Sequence, residues 1–177
     1  MARPTPERVD PWLLAEQEAV LEGRIALAEL PRVAPLLREP GGEVRYHLRF
    51  VRDDRGRPLI DGSVQAELRL ECQRCLEAMS HEVDAHVLLA VVSGLLEAER
   101  LPAEQDPLLL QEKEPLAVRE LVEEELLLSI PVSPRHAAHR CDGPAAVPED
   151  PQAGGTDEER PNPFAVLAGL KSGGNQS

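Results

Sequence analysis

The stretch "VQAELRLECQRCLEAMSHEVDAHVLLAVV" (residues 64–92) decides how this chain folds. Val64, Ala66, Leu68 and Leu70 alternate with Gln65, Glu67 and Arg69; after a break, Val83, Ala85, Val87, Leu89 and Val91 resume the alternation. A period of two puts apolar side chains on one face of a strand and polar ones on the other, which predicts two strands with one buried face. To the N-terminal side, Val44, Tyr46, Leu48 and Phe50 alternate with Arg45, His47 and Arg49 and predict a third strand. "RDDRGRP" (52–58) supplies a loop between them through Gly56 and Pro58, and Asp61-Gly62 a bend or bulge. The reading is an antiparallel meander of three long strands over residues 42–93.

Shorter elements flank the meander. Pro11 starts a helix through "WLLAEQEAV", "VLEGRIALAEL" (20–30) reads as a strand, and "LPRVAPLLRE" as a turn of helix bounded by Pro31 and Pro35. On the other side, "EPLAVRELVEEELLLSIP" predicts a helix with Pro115 at its first position and Pro131 as its stop. Val118, Leu121, Val122 and Leu126 form its apolar stripe. Glu120, Glu123 and Glu124 are assigned to the watered face, either as plain solvation or as a docking surface for a basic partner.

Residues 142–161, "DGPAAVPEDPQAGGTDEERP", carry too little apolar bulk to offset ordering entropy, which predicts a flexible acidic Pro/Gly linker. In "PNPFAVLAGLKSGG", Asn162 suits an N-cap and Pro163 a first helical position, with Phe164, Leu167 and Leu170 on one face. So short a helix needs a surface, on its own sheet or on a partner. The expected fold is therefore α+β. Residues 1–141 form a single domain, a barrel-like meander with a packed helix; 142–161 form the linker and 162–171 the short C-terminal helical segment.

Composition narrows the function. Thirty-two acidic side chains against 19 basic ones give a formal charge of −13. Such a chain repels phosphate backbones unless its cations gather on one face. Arg45, Arg49, Arg52, Arg55, Arg57, Arg69 and Arg74 make residues 43–75 the one region not dominated by acids, and so the place for a direct RNA-binding face. No apolar run approaches the roughly 20 residues that span a bilayer. The start, "MARPTPERVDPWLL", lacks a signal peptide's apolar core. A cytoplasmic location is expected, where three cysteines stay as thiols or metal ligands.

Cys72-Gln73-Arg74-Cys75 is the one motif that carries chemistry. Strand phase puts Cys72 on the face of Leu68 and Leu70, and Cys75 falls in the turn. Two thiolates at a hairpin tip can point at one tetrahedral centre, the arrangement zinc uses. Completion needs two further ligands, and "SPRHAAHRCDG" (133–143) offers His136, His139 and Cys141, with His81 a further option. The set Cys72, Cys75, Cys141 and His139 is the candidate zinc site. A packed structural pair remains open, and so does dithiol redox chemistry, although that normally starts a helix after a parallel strand. Arg74 is a candidate contact for a partner's acidic group. There is no phosphate-cradling glycine loop and no Gly-x-Ser-x-Gly elbow, and His47 and His86 fall at polar strand positions. No small-molecule substrate and no enzyme activity are expected.

Three signatures, "LRLECQRCLEAMSHEV" (68–83), "VEEELLLSIPVSPRH" (122–136) and "RPNPFAVLAGLK" (160–171), resemble in order and content the bacterial large ribosomal RNA subunit accumulation protein family, also called YceD. The resemblance runs from about residue 10 to 171. It implies a non-enzymatic cytosolic protein needed for the synthesis, processing or stability of 23S rRNA, and a neighbourhood to the large-subunit protein bL32 and to lipid-synthesis genes. Cys72 and Cys75 match the family's Cys-x-x-Cys, Glu123–Glu125 with Ile130 and Pro131 its acidic helix and helix end, and Pro163, Phe164, Leu167 and Leu170 its C-terminal segment. Many relatives carry further cysteines after the helix-ending proline; here Cys141 stands there, with His136 and His139 nearby. The expected mode of action is through a basic ribosomal protein or assembly factor of the large subunit, with direct RNA binding by the arginine-rich sheet face as the alternative.

Overall fold

The alternating runs form strands. In the computed structural model, which describes residues 6–137 and Cys141, β1 (Val20–Ala26), β2 (Glu43–Arg52), β3 (Pro58–Glu71), β4 (Ala78–Val92) and β5 (Asp106–Leu109) make one sheet in the order β1-β2-β3-β4-β5. The described residues belong to a single unit, Met1–Gly143. His139, the 142–161 stretch and Phe164, Leu167 and Leu170 lie outside them. Helices among the described residues are few, α1 (Pro11–Glu16), α2 (Leu95–Ala98) and α3 (Val118–Ser129), so the class is α+β.

The meander is as the alternation predicts from β2 to β4, with register Tyr46↔Val64 and Val64↔Ala85. It extends one strand further on each side. β1 pairs antiparallel with β2 and ends at Ala26, sooner than the apolar run through Leu30 suggests. Leu27–Glu29 instead make a 3-10 turn that buries Leu27, whose N–H bonds the Gly42 carbonyl at 3.1 Å. β5 lies parallel to β4, Leu89 opposite Asp106, so the sheet is not purely antiparallel. Four residues with a proline at the second position carry no periodicity that would reveal such a strand, and Pro107 is tolerated because this strand is at the edge. The order is linear, and the ladders among the described residues do not close it into a barrel.

The helix after Pro115 begins later than the proline signal predicts. Leu116 is extended and exchanges both backbone hydrogen bonds with Val9, at 2.9 and 2.7 Å, so the first helical residue is Val118. From there the stripe behaves as read: Val118, Leu121, Val122 and Leu126 are buried in one core with Val44, Leu48, Phe50, Val64, Leu68 and Val87 of the sheet. Each such side chain contributes about 1.5–3 kcal/mol through removal from water. α1 is capped by Asp10, whose carboxylate accepts the N–H groups of Trp12 and Leu13. At Gly23 the absent side chain makes room for the aromatic ring opposite: a Cβ would stand 2.6 Å from the Tyr46 hydroxyl.

Candidate metal centre at the hairpin tip

β3 and β4 pair continuously out to Glu71↔Ala78, which leaves residues 72–77 as the tip. The Cys72 N–H donates to the Glu77 carbonyl at 2.9 Å and the Leu76 N–H to the Cys72 carbonyl at 2.8 Å. Closing so tight a turn puts Leu76 in the left-handed region at φ 62°, which costs a non-glycine residue about 1–2 kcal/mol. Arg38 holds the turn from outside: its N–H bonds the Arg69 carbonyl at 2.7 Å, and its guanidinium donates to the Leu76 carbonyl at 2.8 Å and pairs with Glu71. The segment after α3 is drawn in by the Gln73 N–H, which donates to the Pro134 carbonyl at 2.8 Å.

That contact brings His136 and Cys141 to the tip. The ligand atoms of Cys72, Cys75, His136 and Cys141 all lie within 4.8 Å of one another, and this group can hold a metal ion. Cys72 Sγ stands 3.7 Å from Cys141 Sγ, and Cys75 Sγ 3.4 Å from His136 Nδ1. All three cysteines are free thiols, far outside the roughly 2.05 Å of a disulfide. A tetrahedral ion with metal–sulfur bonds of about 2.3 Å and metal–nitrogen bonds of about 2.05 Å has edges of roughly 3.8 and 3.6 Å. The two short contacts fall near those edges.

The charges also suit a cation. Burial opposes ionisation of Cys72. The backbone N–H groups of Cys75, His136 and Arg74 and the Cys75 thiol outweigh it, and the thiol is pulled from 9.0 to about 5. Burial, with the neighbouring Cys75 and Cys72 sulfurs, pushes Cys141 up to about 11. One thiolate is held by backbone donors while the next is suppressed by its neighbours, and a divalent ion removes that conflict.

Of the sequence-predicted ligands, Cys72, Cys75 and Cys141 are brought together. His139 lies outside the described residues, and among those described His136 is the imidazole that stands with the three thiols. The Cys75–His136 approach depends on the backbone bond to Pro134, which spacing does not reveal. His81 points elsewhere, its Nε2 lying 3.0 Å from the Ser129 carbonyl at the end of α3. Arg74 acts on the centre through its backbone N–H, and the residue is exposed.

The acidic cluster on α3 needs one correction. Glu120 and Glu124 are exposed, but Glu123 is buried at 3% exposure. Its carboxylate accepts the N–H groups of Arg32 at 2.6 Å and Val33 at 3.2 Å and the Arg32 guanidinium at 3.3 Å, fastening the 31–33 loop to the helix. Arg32 also reaches Glu124 at 2.7 Å. Helical phase alone gives Glu123 to water, because the loop donors that claim it lie some ninety residues away in sequence.

Of the seven arginines of the 43–75 region, four are engaged by the protein's own groups. Arg49 pairs with Asp61 at 2.6 Å, Arg52 with Glu16 at 2.8 Å and Arg57 with Asp53 at 2.6 Å, while Arg69 donates to Ser80 Oγ at 2.8 Å. The Arg49 guanidinium holds Asp61 below the usual carboxylate range. His86 is exposed and sits 3.3 Å from Asp61, a surface imidazole as its strand phase predicts. Among the described residues no helix is long and apolar enough to cross a membrane.

Fold and site together define a single-sheet α+β protein with a three-thiol, one-imidazole cluster at one hairpin tip. The family model of the large ribosomal RNA subunit accumulation protein YceD matches residues 60–171. A protein of that name from Haemophilus influenzae is 31% identical over 169 residues, covering 94% of this chain and 95% of the relative. The chain belongs to the YceD family. No solved structure matches it.

Proposed function

We propose that this chain is a non-enzymatic cytoplasmic factor that supports the accumulation of 23S rRNA by binding a basic protein of the large subunit or of its assembly machinery. The rRNA context comes from family membership. The observation that carries the mode of action is electrostatic. A chain of net charge −13 ties four of the seven arginines of its 43–75 region into ion pairs and hydrogen bonds with its own groups, leaving fewer to neutralise phosphates. Basic ribosomal proteins are the complementary partners, since opposite surface potentials speed and orient association. bL32 is one candidate among them.

The cluster of Cys72, Cys75, His136 and Cys141 holds a structural zinc in this reading. Four protein ligands leave no open coordination position for substrate, which separates a structural from a catalytic zinc site. The ion fastens the segment after α3 to the hairpin tip and fixes where the remainder of the chain departs.

Two measurements test the proposal. Cells lacking the protein should show a lower ratio of large-subunit to small-subunit rRNA, restored by the wild-type gene; an unchanged ratio removes the rRNA role. The purified chain, at physiological salt, should bind purified basic large-subunit proteins and not naked 23S rRNA fragments. Binding to the RNA alone, weakening steeply with salt, would establish the RNA-binding alternative instead.

A further inference from the structure

A groove of about 640 Å³ runs between α3, the 31–32 loop and residues 108–117. Leu108, Leu110 and Pro115 give it an apolar floor; Glu114, Glu120 and Glu124 stand along it. We infer that this groove docks an extended Lys/Arg-rich protein segment carrying an aliphatic side chain; the inference rests on the protein-partner reading above and gives that partner its place.

Three observations favour this occupant. First, the lining is acidic: four glutamates stand against two arginines, and one of those, Arg32, is already engaged by both Glu123 and Glu124. Glu120 is exposed and has no hydrogen-bond or ion-pair partner among the described residues, so a cation gains there without displacing an internal bond. Second, the field continues beyond the rim. The neighbouring Glu125 carboxyl is raised above its ordinary range by burial first, and then by the negative charges of Asp106 and Glu124 beside it. Third, the walls are fixed before any partner arrives. Pro31 and Pro115 restrict the backbone on either side, and the buried Glu123 carboxylate bonds the N–H groups of Arg32 and Val33. A preformed groove spares the ordering cost of association.

The same features exclude other occupants. A nucleic-acid strand meets carboxylates of its own sign, and a second copy of this chain brings a further −13 of charge. Half-buried leucines on the floor match an aliphatic anchor, while Glu120 and Glu124 flank it with acceptors for basic side chains. Glu123 is a positioning residue, since its carboxylate faces the loop.

Charge reversal in the full-length chain tests the inference. Purified basic large-subunit proteins serve as the probe, with Glu120→Lys and Leu110→Ser as groove variants and Glu82→Lys on β4 as a control outside the groove. All sites are exposed or half-buried, and circular dichroism checks that each variant folds. At physiological salt each groove variant should weaken binding by about tenfold or more, with Glu82→Lys close to wild type. If wild type binds and all three variants bind equally well, the groove is the wrong surface while the protein-partner reading stands. If wild type binds none of these proteins, both fall.

Discussion

The long hairpin β3–β4 is held by two kinds of physics along its length. Under α3 it is packed by aliphatic side chains from consecutive turns and strands: Val64, Leu68 and Val87 against Leu121, Val122 and Leu126. At its tip the stabilising groups are few and polar: three thiols, an imidazole, the Arg38 guanidinium and the backbone bond from Gln73 to Pro134. The first region depends on how much apolar area is buried and tolerates small displacements of any one contact. The second depends on four atoms from segments more than sixty residues apart arriving within a few ångströms of each other. The two should therefore respond to different perturbations.

The largest effect should come from the packed region. Phe50→Ala, on the neighbouring strand β2, removes a fully buried ring from the same core and should cost about 3–5 kcal/mol in urea denaturation, with or without a chelator present. A chelator-dependent cost would show the two regions to be one cooperative unit. Next comes the tip. Stripping zinc from the loaded chain should remove about 3–4 kcal/mol where free zinc exceeds its dissociation constant 100- to 1,000-fold. Hydrogen exchange should localise the change, with protection lost at the Gln73 amide and kept across Val64–Leu68. Equal loss in both places would erase the distinction.

The acidic helix offers a finer version of the same contrast. Glu123→Ala leaves two loop N–H groups without their acceptor and should cost about 1–3 kcal/mol, whereas Glu124→Gln breaks an exposed pair and should cost under about 1 kcal/mol. Thermal melts of the two variants decide the order, and a larger loss for Glu124→Gln would contradict the burial of Glu123.

The smallest effect is a gain. The Glu125 carboxyl is raised by burial first, then by Asp106 and Glu124. A raised carboxyl contributes stability below its unfolded-state pKa, and that contribution is lost as pH rises through the folded value. At pH 7 the ionised form is therefore the disfavoured one. Glu125→Gln should stabilise the protein there by a few tenths of a kcal/mol, small because the group is partly exposed, and the gain should vanish near pH 4. Melting curves at the two pH values test the sign.

The sequence disclosed these two regions unequally. Alternation in residues 44–50 and 64–91 and the stripe from Val118 to Leu126 sufficed for the meander and its helix, because burial acts through local periods. β5 escaped because four residues show no period, and the start of α3 because the pairing of Leu116 with Val9 is non-local. The Cys-x-x-Cys pointed to a candidate metal site, and Cys141 was within reach. The choice of His136 depended on a backbone bond between Gln73 and Pro134 that no spacing rule contains. The burial of Glu123 was hidden for a like reason: helical phase describes one helix, and the loop that claims this carboxylate arrives from elsewhere in the chain.

The metal content of the full-length chain, purified without chelators and measured by elemental analysis, tests the proposed centre most directly. About one zinc per chain is predicted, reduced sharply by Cys75→Ser and by His136→Ala and unchanged by His81→Ala. Zinc well below one per chain in the wild type, or retained in full by the Cys75→Ser variant, would contradict a zinc centre built from Cys72, Cys75, His136 and Cys141.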